Sequence, residues 1–226
     1  MNYKSLKYIF FAFCLALAVM PMSGQQVQIE KRVKSPFAFP EFRRAKIIQP
    51  FGRYIYADAN IFLRGSRLIY REGDKVMTPS NMRVVLYVQF DDTTKYAKVT
   101  DDAMARVIAE NRLNKLVCMT SIDMPKLLNE TSGTDNLPFF EIDGGGLFSS
   151  TFLEINGDKW EDSKGFPLTD KYYFIVKGRV VPANETKIRK LILKEKRADF
   201  KKLMADRWWS WHDAESLKRI LDFLPQ

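Results

Sequence analysis

"KYYFIVKGRVVPANETKIRKLILKEKRADFKKLMADR", residues 171–207, contains the change of period that decides the fold. "KYYFIV" is a β-branched and aromatic run, and Lys177-Gly178 ahead of "RVVP" predicts a tight hairpin. After Pro182 the chain carries no Gly or Pro through Arg207 and is rich in helix formers. Ile188, Leu191 and Ile192 keep i, i+3, i+4 spacing, as do Phe200, Leu203 and Met204. The charged "KEKR" between them predicts two short helices or one bent one. Further on, "DAESLKRILDFL" puts Leu217, Ile220, Leu221 and Leu224 on one stripe behind an N-cap at Asp213.

Upstream, the signals are strand-like. "RYIYADANIFL" and "RLIYREGDKVM" read as strands, the second turning at Glu72-Gly73-Asp74. "MRVVLYVQF" is apolar on both faces, as a central, two-sided strand should be. "DDTT" turns it into "KYAKV", and "NRLN" joins "MARVIAE" to "KLVCMTSI". Asp123 caps a short helix, "DMPKLLNE", and "PFFEI" and "STFLEI" read as two more strands. Strands first and helices last predict an α+β fold: an antiparallel β body, sandwich- or barrel-like, with helices packed on it. The expected organisation is a leader over 1–24, an arm over 25–53, the body over 54–182 and the helices over 183–226. The arm shows neither period, carries Pro36, Pro40 and Pro50, and should lie on the body through Phe37, Phe39 and Phe42.

The leader has Lys4 and Lys7 before an apolar run, Tyr8 to Met20, then Pro21 and the small Ser23 and Gly24. That is the layout of a secretory signal peptide cut near Gly24. The run is shorter than the roughly 20 residues a transmembrane helix needs, so no transmembrane helix is expected after processing. The expected location is the periplasm, the outer membrane or the exterior. The processed chain keeps one cysteine, Cys118, and so has no internal disulfide. Its charge is uneven: net +5 over 25–53, −4 over 54–176 and +6 over 177–226. Basic ends fit an acidic envelope component, whether glycolipid, anionic lipid surface or protein. Nucleic acid is not an expected partner of an exported chain with no nucleic-acid motif.

From Lys171 to Leu224 the tail resembles the C-terminal part of uncharacterised exported proteins of Bacteroidetes-type bacteria. Those pair a strand hairpin with a lysine-rich helix and a last helix opened by an Asx-type cap. The resemblance covers about the last quarter of the chain. It implies an envelope or secreted protein of unassigned activity and carries no catalytic residue across. The tryptophans at 208, 209 and 211 depart from the plainer residues of that pattern.

Several chemistries lack their parts. One histidine, His212, and one retained cysteine cannot supply a zinc cluster, and no cofactor is expected. A Cys118–His212 dyad lacks any local signature, and no GxSxG elbow is present. Asp91-Asp92 and Asp101-Asp102 sit where turns are expected. "FFEIDGGGLFSS" delivers Asp143 into a glycine-rich loop, so the enzymatic alternative is a hydrolase with a carboxylate pair around Glu141, Asp143 and Gly146.

The remaining candidate is "RWWSWHDAE", residues 207–215. Trp208, Trp209 and Trp211, with Lys201, Lys202 and Arg207, form the candidate partner-binding set. Alternate side chains of an extended turn point to opposite sides, so all three rings should not serve one surface. Trp208 or Trp211 is expected to be buried as an anchor, with a second ring over lysine stems and His212 as a residue flanking the cap. A sugar-stacking platform is the functional alternative.

Overall fold

The computed structural model describes residues 30–91, 93–131 and 164–225. Among these residues eleven strands form one antiparallel sheet: β1 (Arg32–Val33), β2 (Arg43–Ile48), β3 (Tyr54–Phe62), β4 (Arg67–Glu72), β5 (Lys75–Met77), β6 (Tyr87–Gln89), β7 (Lys95–Lys98), β8 (Met104–Asn111), β9 (Asn114–Ile122), β10 (Phe166–Val176) and β11 (Arg179–Pro182). The order is β1-β10-β9-β8-β7-β6-β2-β3-β4-β5, with β11 also on β10. Helix α1 (Met124–Thr131) follows β9, and α2 (Glu185–Arg189), α3 (Arg197–Met204) and α4 (Ala214–Lys218) follow the sheet. The fold is α+β, and the sheet is not closed. It turns back on itself far enough that Ser66 O and Leu63 O, after β3, accept from Met104 N (2.8 Å) and Ile122 N (2.9 Å). The strands proposed at "PFFEI" and "STFLEI" lie outside the described residues.

The hairpins form where the sequence placed their turns. Lys177 (φ 49°) and Gly178 (φ 81°) make the two-residue left-handed turn between β10 and β11. Arg112 and Leu113 join β8 to β9, in a ladder with a bulge between Val107 and Ala109. At "DDTT", Asp91 accepts from the backbone N–H of Thr94 and of Thr93 (2.9 Å) and from the Thr93 hydroxyl (3.1 Å). These bonds pull its carboxyl down from 3.8 to about 2. A depressed folded-state value stabilises the fold above the unfolded value, and that contribution is lost as the pH falls through the folded one. Asp91→Ala is therefore expected to lower the denaturation midpoint at neutral pH. Its gap from the parent chain should narrow between pH 3.8 and about 2. A gap that stays constant across that window rules out the carboxylate as its source.

Two strand readings change. Arg43–Ile48, expected as part of an irregular arm, is strand β2 and sits between β6 and β3. Ala45 and Ile47 enter the core while Arg44 and Lys46 alternate outward, so the period is present but short and obscured by cations. "MRVVLYVQF" is not one long strand. Asn81 caps a single 3₁₀ turn, Met82–Val84, by accepting from Arg83 N at 3.0 Å. The strand proper shrinks to Tyr87–Gln89, which keeps its interior place between β7 and β2.

The segment ahead of β2 lies on the sheet as expected. Phe37 and Phe42 pack over Phe62 and Ile69, and Phe39 meets Phe90 with ring centroids 4.6 Å apart. Buried Asn60 holds this segment. Its Oδ1 accepts from Phe39 N (3.1 Å) and Ile61 N (2.8 Å), and its Nδ2 donates to Phe39 O (2.9 Å) and Glu41 O (3.2 Å).

Behind the hairpin of β10 and β11, Asn184 caps α2 through Lys187 N (3.0 Å). Leu193, in extended conformation, separates α2 from the second helical stretch, so the "KEKR" region gives two helices. Ile188, Ile192, Phe200, Leu203, Leu217, Ile220, Leu221 and Leu224 are all buried. Most of them cluster with Leu116 and Phe174 of the sheet. Asn111 and Asn114 fasten the C-terminus by donating to Leu221 O (2.9 Å) and Pro225 O (3.1 Å).

Candidate functional site

The tryptophan stretch divides its rings between core and solvent. Trp209 and Trp211 are half-buried against the helix cluster and meet edge to face, centroids 5.4 Å apart. The buried Trp209 indole N–H finds no acceptor among the described residues. Trp208 is 79% exposed. Of the two candidates for the anchor, Trp211 packs inward, half-buried, and Trp208 does not, while Trp209 packs beside Trp211. Trp209 N donates to Asp206 O at 3.0 Å, closing a tight turn that leaves Trp208 at its exposed corner and brings Trp209 and Trp211 together against the helices.

The turn itself is pinned. Asp206 accepts from Trp208 N (3.1 Å) and pairs with Arg219 (3.1 Å), which holds its acid below the usual range. Asp213 accepts from Ser216 N at 2.7 Å, as the cap reading requires, and that bond lowers its acid too. His212 is exposed, its backbone N–H bonded to Ser210 Oγ (3.2 Å). The cation on Trp208 is Arg207, with Cζ 5.4 Å from the ring centroid, rather than a lysine stem. Lys201 and Lys202 stand exposed on α3, Lys202 beside Asp199 at 3.1 Å.

A second aromatic–cationic surface escaped the sequence reading. The hairpin of β2 and β3 turns through Pro50–Gly52, with Phe51 in the left-handed region (φ 60°, ψ 30°) and 96% exposed. Just beyond the turn, Tyr54, Ile55 and Tyr56 are 52%, 52% and 54% exposed. Lys46 Nζ lies 4.1 Å above the Tyr54 ring, and Arg44 Cζ 5.4 Å above the Tyr56 ring. The tyrosines meet at 76°, centroids 5.6 Å apart. A boundary at residue 53 cut this hairpin in two. The signal that would have found it is "KIIQPFGRYIY", two alternating runs around Pro-Phe-Gly. Ile55, on the opposite face of β3, helps line a cleft of about 510 Å³ with Ile47, Ala57, Tyr70, Asn81 and Val85.

The catalytic candidates fare differently. Cys118 is buried, and burial followed by the negative charge of Asp170 pushes its thiol up to about 11. A thiol held protonated is a poor nucleophile, so Cys118 lacks the activation that a Cys118–His212 dyad needs. The neighbouring Tyr172 phenol is pushed to about 12, again first by burial. Asp101-Asp102 lies in a turn, Asp102 paired with Arg67 at 3.3 Å. Among the described residues, no group of three or more His, Cys, Asp or Glu is placed to hold a metal ion, and no helix is long and apolar enough to cross a membrane. Glu141, Asp143 and the glycines to Gly146 lie outside the described residues, so the carboxylate-loop hydrolase gains no geometry. The chain matches no family model, no curated protein and no solved structure.

Proposed function

We propose that the protein is an exported binding or structural component of the cell envelope, without a catalytic step of its own, that engages an acidic partner. The observation that carries this reading is the seating of cations on exposed rings: Lys46 on Tyr54, Arg44 on Tyr56 and Arg207 on Trp208. A ring beneath a cation restricts its motion and shields one side from water. The outward N–H groups then stay available for a phosphate or carboxylate. The leader-like start and the basic ends of the chain support the same reading. Glycolipid, anionic lipid and acidic protein share the chemistry that such groups recognise. The C-terminal set, Trp208 with Arg207, Lys201 and Lys202, belongs to this proposal as a contact surface, whereas Trp209 and Trp211 belong to the packing.

The test is retention on anionic and neutral surfaces across a salt range. Exposed charges are screened beyond about 8 Å at physiological ionic strength and beyond about 3 Å at 1 M. Retention on the anionic surface is expected to be strong at low salt and largely lost near 1 M. Equal retention on both surfaces at every salt concentration overturns the reading.

A further inference from the structure

We propose that the β2–β3 hairpin seats the protein on an anionic lipid bilayer, by insertion of Phe51 among the acyl chains. This rests on the acidic-partner reading and names the partner. The hairpin end exposes apolar side chains on all sides. Tyr54 and Tyr56 point to one face of β3, Ile55 to the other, and Phe51 projects from the tip. A flat protein surface covers one face of such a hairpin, whereas a bilayer surrounds it.

Phe51 adds a second observation. Its left-handed backbone is strained for any residue with a Cβ, and glycine or asparagine fills such a turn with less strain. At 96% exposure its ring gains almost nothing from the fold in return. A large apolar ring, held outward at a strained tip, is accounted for by contact with something outside the chain.

The charges select the kind of bilayer. Arg44 and Lys46 lie over the tyrosine rings, and exposed Arg53 adjoins the turn. Asp58 is the acid on the same stretch. With the tip in the acyl region, the tyrosines sit at the depth of the headgroups, where rings with one polar end are favoured. The cations then meet lipid phosphates. A sugar platform fits less well. The two rings stand at 76° to each other and already carry cations, so they do not present one flat face for stacking.

The experiment is flotation of the exported chain, as its host processes it, with phosphatidylcholine vesicles with and without phosphatidylglycerol. Retention on an anionic glycan column runs in parallel. Binding to the anionic vesicles is expected. Phe51→Ser should weaken it about tenfold or more, the loss that follows from keeping one phenylalanine in water. Paired Arg44→Gln and Lys46→Gln changes should weaken it further at low salt and flatten the salt dependence. A dye-labelled Phe51→Cys chain should shift to the blue with anionic vesicles, the buried Cys118 thiol labelling slowly. Unchanged circular dichroism and melting of Phe51→Ser verify the fold. Vesicle binding that survives Phe51→Ser undiminished overturns the hairpin and leaves the acidic-partner reading standing. Retention on the glycan without vesicle binding overturns the lipid. Retention on neither overturns both.

Discussion

Phe174→Ala is expected to cost about 3–5 kcal/mol of stability, the range for losing a fully buried aromatic ring. Phe174 lies on β10 opposite Leu116 of β9 and has no exposed surface. It belongs to the cluster in which Ile188, Phe200, Leu217 and Leu224 are buried. The helices it supports are short: α2 and α4 have 5 residues each and α3 has 8. Helices below about 12 residues do not persist alone in water. Removing the ring should therefore free the helices from the sheet as well as lower the global midpoint. Urea denaturation measures the total. Hydrogen exchange locates the damage, with amides of α3 and α4 exchanging faster than those of β3 and β4. Trp208→Ala is the control, since its ring is 79% exposed and its loss should stay within about 0.5 kcal/mol. An unchanged midpoint for Phe174→Ala is incompatible with helices docked as described.

Asn60→Leu is expected to cost about 3 kcal/mol or more. The amide of Asn60 satisfies Phe39 N, Phe39 O and Glu41 O from a fully buried position. Leucine has nearly the same size but no polar atom, so each orphaned backbone group carries a desolvation cost of about 1–3 kcal/mol when it stays buried. The segment over 35–42 can regain water only by leaving the sheet, which uncovers Phe62 and Ile69 and separates Phe39 from Phe90. Trypsin should then cut after Lys34 much faster than in the parent chain, at temperatures below the main transition. Equal cutting rates, with an unchanged midpoint, would sink the assignment.

The period change at Pro182 gave away the fold class, because strands and helices differ in the spacing of their buried residues. Hairpins were legible where the turn has its own chemistry: the Asp91 carboxylate on two N–H groups, and the left-handed Lys177-Gly178 pair. Caps at Asp123 and Asp213 were legible for the same local reason. Strand β2 was hidden because only Ala45 and Ile47 are fully buried, between cations and close to three prolines. The long strand expected at residues 82–90 failed because apolarity on both faces does not say whether the backbone is extended; Asn81 starts a turn there instead. At the candidate site, composition found the tryptophans but not which one faces water. That depends on how the turn closed by Asp206 and Trp209 leaves α3. Nothing local marks Phe51 as left-handed, since the conformation is set by the ladder on either side of it.

The pairing of β1 with β10 sets an order of events during folding. Lys31 meets Asp170, 139 positions later, at 3.3 Å, and Arg32 donates to Gly165 O, 133 positions later, at 3.0 Å. Gly165 has φ +77°, and a Cβ there would stand 2.7 Å from Val33 O, so this approach tolerates no side chain. Strand β1 thus waits for β10. Contacts of such long sequence separation form late and slowly, after the loop between them has been closed. Until β10 docks, β9 offers an open flank, which a second unfolded copy can occupy with its own β10. A holdase bound to β9 during that interval, rather than to the finished protein, would raise the yield of monomer.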